Sequence, residues 1–200
     1  MSRRIPVLPP AIPRRGGTLW RWIGRTVMRL TGWGIEGNFP DLPRLVVAVA
    51  PHTSNWDFLH GAAAMFALDL KVSFIGKHTL FVWPFSAFLR WMGGIPVDRS
   101  AAHGVVGEAI ETFRERRAHL LVIAPEGTRR KVERFKTGFL HIARGAGVPV
   151  VLVGLDYATR TVRIGPCFDV GEDIDAERVK VEAHFAAIPG RHPHLGPRAA

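Results

Sequence analysis

LVVAVAPHTSNWDFL, residues 45–59, joins two kinds of local structure. Leu45 to Ala50 is a short, wholly apolar run, the pattern of a strand buried on both faces. The residues that follow, DFLHGAAAMFALDL (57–70), have helix-forming composition. His52 therefore falls at a strand-to-helix junction, a common position for chemistry in α/β proteins. His52 and Asp57 are five residues apart, and five residues turn a helix through ~500°. They share no helix face and can meet only where the chain changes conformation.

Outward from this junction the same alternation repeats. KVSFIGK (71–77), IPVD (95–98), HLLVIAPEG (119–127), VPVVLVGLDY (148–157) and TVRIGPCF (161–168) read as strands. Between them, the second half of FVWPFSAFLRWMGG (81–94), AHGVVGEAIETFRERR (102–117), GFLHIARGAG (138–147) and EDIDAERVKVEAHFAAI (172–188) read as helices. Strands alternating with helices predict an α/β fold, a mostly parallel mixed sheet flanked by helices, with an antiparallel edge near 161–166. Residues 1–17, with four Pro and four Arg, are expected to form an irregular basic arm. Residues 18–34 predict an amphipathic helix, with Trp20, Ile23, Val27 and Leu30 on one arc and Arg21, Arg25 and Arg29 on another. That helix is open to two readings, packing on the core or lying in a lipid interface. Residues 35–188 make one domain and 189–200 a tail, in which the histidines of RHPHL (191–195) read as unstructured.

Composition narrows the partners. Lys and Arg number 27 against 17 Asp and Glu, a formal charge of +10, which favours phosphate-bearing or otherwise anionic partners. The single Cys167 excludes an intramolecular disulfide and a cysteine-based metal cluster. No apolar run approaches the ~18 residues of a spanning helix, and the N-terminus lacks a signal-peptide core. The expected setting is a reducing compartment, soluble or at a membrane face. The chain has no Gly-x-Ser-x-Gly elbow, Walker A sequence, dinucleotide glycine motif or His-Glu-x-x-His. Nucleic-acid binding would use the same charge, but no recognition motif accompanies it.

Each candidate site residue has a plain structural alternative. Ser54-Asn55-Trp56-Asp57 fits a capping box, with Ser54 as N-cap and Asp57 at the third helical position. The same placement lets the carboxylate fold back on His52, fixing its tautomer and leaving the other nitrogen as a base. Arg99 follows a short strand, and Glu126, Gly127, Thr128 and Arg129 follow a buried one; a surface turn with a salt bridge is the ordinary reading of either. Lys136 precedes a helix start at Gly138, where a cation and exposed amides suit a phosphate. One sheet edge could gather all of them.

In order and spacing, His52-Thr-Ser-Asn-Trp-Asp57, Gly94-Ile-Pro-Val-Asp-Arg99, Pro125-Glu-Gly-Thr-Arg129 and Val148-Pro-Val-Val-Leu-Val153, with Phe135-Lys-Thr-Gly138, span residues 45–157. This set resembles the glycerolipid acyltransferase family, the phospholipid-synthesising enzymes related to lysophosphatidate acyltransferase. Pro51 stands where many members have Asn, and Leu152 where a second proline is common. The resemblance implies transfer of a fatty acyl group from acyl-coenzyme A or acyl-carrier protein to a lysophospholipid-like hydroxyl. It implies His52 as base, Asp57 as its orienting partner, and Arg99, Glu126, Gly127, Thr128, Arg129 and Lys136 around the acceptor. It implies no metal or resident cofactor, and a peripheral place on the inner, cytoplasmic face of an anionic membrane. Trp83, Phe85, Phe88 and Trp91 are candidates for the lipid- or acyl-facing surface, and residues 81–92 for a chain-limiting pocket. A thioesterase, or a lipid-binding protein no longer catalytic, are the alternatives.

Overall fold

The computed structural model describes residues 5–97, 102–127, 132 and 134–192. Seven strands form one sheet in the order β1-β7-β6-β2-β5-β3-β4. They are β1 (Gly34–Glu36), β2 (Arg44–Ala50), β3 (Ser73–Lys77), β4 (Gly94–Val97), β5 (His119–Ile123), β6 (Val150–Asp156) and β7 (Thr161–Phe168). Strands β2 to β6 are mutually parallel, β7 runs antiparallel to β6, and β1 lies parallel to β7. The expected antiparallel strand at 161–166 is thus present, but it is not the edge. Gly34–Glu36 pairs with Thr161–Arg163 and covers it.

The continuous apolar runs are explained by burial on both faces. On β2, Leu45 and Val47 enter one core while Val46, Ala48 and Ala50 enter the other. On β6, Val151, Val153 and Leu155 alternate in the same way with Val150 and Leu152. Helices α1 (Thr18–Thr31), α2 (Asn55–Leu68) and α3 (Phe85–Met92) contribute to the first core. The second takes α4 (Ala102–Glu115), α5 (Gly138–Ala146) and α6 (Ile174–Ala186). Among the described residues, no helix is long and apolar enough to cross a membrane.

Helix α1 buries only part of the arc its sequence suggests: Trp20 and Val27 pack half-buried against the first core. Gly24 and Met28 are its buried residues, while Leu30 is 81% exposed. The reason is a close crossing: a Cβ at Gly24 would stand 2.4 Å from the Ala67 amide nitrogen and 2.7 Å from the Ala63 oxygen. Backbone contact with α2 sets the rotation of α1, and Trp20 follows by stacking on Phe66. The helix stops at Gly32, whose φ of 70° lies in the left-handed region that glycine accepts at low cost.

The two ends of the chain are more tied down than composition suggests. The arm is irregular, yet Leu8 and Ile12 are buried, and the Arg15 guanidinium donates to the Trp91 and Met92 carbonyls at the end of α3. Residues 189–192 are not a loose tail. The Pro189 carbonyl accepts from the Tyr157 amide, and the His192 amide donates to Thr53 Oγ1. This packing lays the segment across the loop that carries His52. His194 lies outside the described residues.

Candidate active site

Strand β2 delivers Ala50 to the edge of the sheet where the parallel strands end, and residues 51–54 turn the chain into α2. The turn is closed by the capping box read from the sequence. Ser54 Oγ accepts from the Trp56 amide, and Asp57 Oδ2 accepts from the amides of Thr53 and Ser54, both at 2.6 Å. The carboxylate that closes the cap also faces the imidazole: the same Oδ2 lies 3.5 Å from His52 Nδ1. That separation is longer than a formed hydrogen bond. Asp57 is fully buried as a side chain, while His52 is 28% exposed, so the carboxylate is enclosed and the imidazole accessible.

Glu126 sits just past β5 and approaches the same loop from behind. Its Oε1 accepts from the His52 backbone amide at 2.7 Å, and its Oε2 is buried with no hydrogen-bond partner among the described residues. The carboxylate thus holds the position of His52 through the backbone. Burial pushes the Glu126 carboxyl up to about 7, against the His52 amide bond that favours its charge; the nearby Asp57 adds to the rise. Between its unfolded value near 4.5 and about 7 the folded state holds the extra proton, so this group's stability contribution falls as pH rises. Glu126→Gln keeps an acceptor for the His52 amide and carries no charge. Its melting temperature is expected to match wild type near pH 4.5 and exceed it above pH 7. A difference that does not widen over that interval contradicts the assignment.

Gly127 continues the turn with a φ of +63°, donating its amide to the Ala124 carbonyl. The Lys136 side chain lies over it, 3.0–3.3 Å from where a Cβ would be, and the Lys136 amide donates to the Pro125 carbonyl. His52, Asp57, Glu126, Gly127 and Lys136 are thereby gathered at one sheet edge. Arg99, Thr128 and Arg129 lie outside the described residues.

Two cavities open beside His52. One, of about 220 Å³, runs between α2 and the sheet and is walled mainly by apolar side chains, among them Val47, Phe58, Met65 and Ile164. The other, of about 880 Å³, lies toward α4 and α5 and combines Phe81, Val106 and Phe139 with Lys77 and Lys136. Of residues 81–92, Phe81 and Leu89 line the larger cavity and Met92 the smaller, so the narrow apolar space is chiefly the work of α2 and the strands. Among the described residues no three His, Cys, Asp or Glu side chains gather as metal ligands.

Sequence reasoning missed one member of the constellation. Tyr157, just past the end of β6, donates its phenol to Asp57 Oδ1 at 2.5 Å. The available signal was its being the chain's single tyrosine, placed at the end of a parallel strand that neighbours β2.

The family model described as Acyltransferase matches residues 36–156. The 1-acyl-sn-glycerol-3-phosphate acyltransferase of Escherichia coli (strain K12) is 31% identical over 125 residues, 59% of this chain and 49% of that protein. The protein of the same name from Haemophilus influenzae is 29% identical over 151 residues, 70% of this chain and 61% of that protein. The chain thus spans about half to three-fifths of the length of these relatives. The crystal structure of the 1-acyl-sn-glycerophosphate (LPA) acyltransferase PlsC from Thermotoga maritima aligns with a TM-score of 0.60 at 24% identity, covering 82% of this chain and 74% of that one. At that identity the likeness speaks to the fold alone.

Proposed function

The chain belongs to the acyltransferase family, and from that premise we propose that it moves a fatty acyl group from an acyl thioester to a hydroxyl of a lysophospholipid-like acceptor, such as 1-acyl-glycerol-3-phosphate. One observation carries this reading: a histidine backed by a buried carboxylate stands beside both an apolar cavity and a larger one that includes lysines. An alcohol is a weak nucleophile at neutral pH. His52 removes the acceptor's proton as its oxygen attacks the thioester carbonyl, and Asp57 orients the imidazole and stabilises its protonated form. The tetrahedral intermediate then expels the thiolate, which takes the proton from the imidazolium. Lys136, with Arg99 and Arg129, binds the acceptor's anionic head; an arginine fork suits a phosphate bidentately. The apolar cavity between α2 and the sheet suits the fatty chain.

Acyl-coenzyme A or acyl-carrier protein serves as donor, drawn by the basic surface. The test is thiol release from both donors, at several chain lengths, across a panel of lyso-lipids. Release that depends on the acceptor supports a transferase and identifies the acceptor class. Release indifferent to acceptor favours a thioesterase, and binding without release an idle lipid carrier.

The exposed aromatic face supports docking on lipid. Trp22 and Leu19 of α1 are 65% and 61% exposed, and Trp83 and Phe85 beside α3 are 91% and 64% exposed. Trp20 and Trp91, 4.7 Å apart, join the two helices, and Arg25 and Arg29 flank the α1 portion. Trp among basic residues is the composition of an interfacial surface. We expect peripheral attachment to the inner, anionic membrane face. In a vesicle sedimentation assay the protein should pellet with phosphatidylglycerol-containing vesicles, and Trp83→Ser with Phe85→Ser should weaken this by at least about tenfold. Equal pelleting of variant and wild type excludes this surface.

A further inference from the structure

Asp57 uses its two oxygens for different purposes. Oδ2 takes both amides of the cap and faces His52; Oδ1 takes only the Tyr157 phenol among the contacts described. A cap needs no more than Oδ2. The torsion that turns a carboxylate is soft and roughly two-fold, so bonds gathered on one oxygen leave the plane of the group loosely set. A donor on the second oxygen fixes it.

Tyr157 is built to be that donor. Its amide is held by the Pro189 carbonyl, and its ring stands edge-on to Trp33 at 4.8 Å and to His60 at 5.9 Å. Trp33 in turn stacks on His60 at 4.2 Å. Burial, then the bond to Asp57, pushes the phenol's ionisation well above its ordinary value, so it stays protonated and donating. The hydroxyl therefore reaches Asp57 from the first residue past β6, braced by two aromatic neighbours and the 189–192 segment.

We propose that Tyr157 is a positioning residue of the acid–base centre, pinning the Asp57 carboxylate so that Oδ2 stays aimed at His52 Nδ1. The inference rests on the reading of His52 as the base. It adds that a residue outside the recognisable motif blocks, and touching no reacting atom, sets the geometry of the pair. The titratable and charged groups packed around the centre are His60 from α2, Glu126 after β5 and Arg191 from the C-terminal segment. None of them replaces the phenol on Oδ1 in the contacts described.

The test is Tyr157→Phe in the full chain, which keeps the ring and its edge contacts and removes one hydroxyl. Two quantities are read: steady-state kinetics with acyl-coenzyme A and the best acceptor, and the titration of the His52 Cε1 proton by NMR. The His52 resonance is identified by its loss in His52→Asn. We expect kcat to fall about tenfold, the loss of one charge-assisted hydrogen bond, with both KM values within about twofold of wild type. The His52 midpoint should rise by about half a pH unit, because charge once drawn to Oδ1 then acts on the imidazole. A hydroxyl that served only stability would lower the melting temperature and leave kcat and the His52 midpoint unchanged, and that result overturns the proposal. Should the wild type turn over no thioester, the proposed activity fails. The His52 midpoint in the two proteins then decides the positioning role by itself.

Discussion

His52→Ala is expected to lower acceptor-dependent thiol release by ~10²–10⁴-fold, the usual worth of a positioned general base. The same change should leave the protein folded. Glu126 holds the loop through the His52 backbone amide, which alanine retains, and the imidazole is not part of either apolar core. The unfolding free energy should therefore change by no more than for a typical partly exposed substitution, about 1 kcal/mol or less. The prediction is a separation: large in turnover, small in stability, with unchanged vesicle pelleting. A folded His52→Ala protein that still releases thiol at the wild-type rate leaves the histidine without the role assigned to it.

Asp57 should show the opposite coupling, because one carboxylate serves both fold and chemistry. Asp57→Ala leaves the amides of Thr53 and Ser54 and the Tyr157 phenol without their acceptor in a buried setting. Each unsatisfied buried donor costs about 1–3 kcal/mol, so the three together cost roughly 3–9 kcal/mol, toward the low end because two of the three bonds are only part-buried. That is a large share of the ~5–15 kcal/mol that holds an ordinary domain folded. Asp57→Asn restores an acceptor oxygen but not the charge. It should recover most of the stability and still lose about 10²-fold or more in kcat, since a neutral amide cannot stabilise an imidazolium. Thermal melts and kinetics on the two variants separate these contributions. An Asp57→Asn enzyme with near-native kcat would reduce Asp57 to a helix cap.

How far these roles were legible differs from element to element. The parallel core could be read from LVVAVA and VPVVLVGL because both faces of β2 and β6 are buried, which makes the runs continuously apolar. β1 could not, since three residues following a glycine cap carry no periodicity. The buried stripe of α1 was legible only in part, for a related reason. A helix that packs through glycine buries backbone, and hydrophobicity patterns do not register backbone. At the site, His52 and Asp57 alone read as an edge histidine and a helix cap; the ordered set of motif blocks around them is what made them legible. Glu126 was visible as a residue but not as a support for the His52 amide, a contact that joins positions 74 residues apart. Tyr157 reaches Asp57 across 100 residues and belongs to none of the motif blocks, so only the folded chain reveals it. The 189–192 segment reads as a polar tail because its anchoring is made by backbone groups rather than by apolar side chains.

The central claim is that the acyl group ends on an acceptor hydroxyl and not on water. The direct measurement is product analysis by mass spectrometry in a reaction with isotopically labelled acyl-coenzyme A and 1-acyl-glycerol-3-phosphate, followed alongside thiol release. The account predicts one labelled diacyl product for each thiol released, with both lost together in His52→Ala. Labelled free fatty acid appearing in step with the thiol, with no new ester on the acceptor, would contradict it.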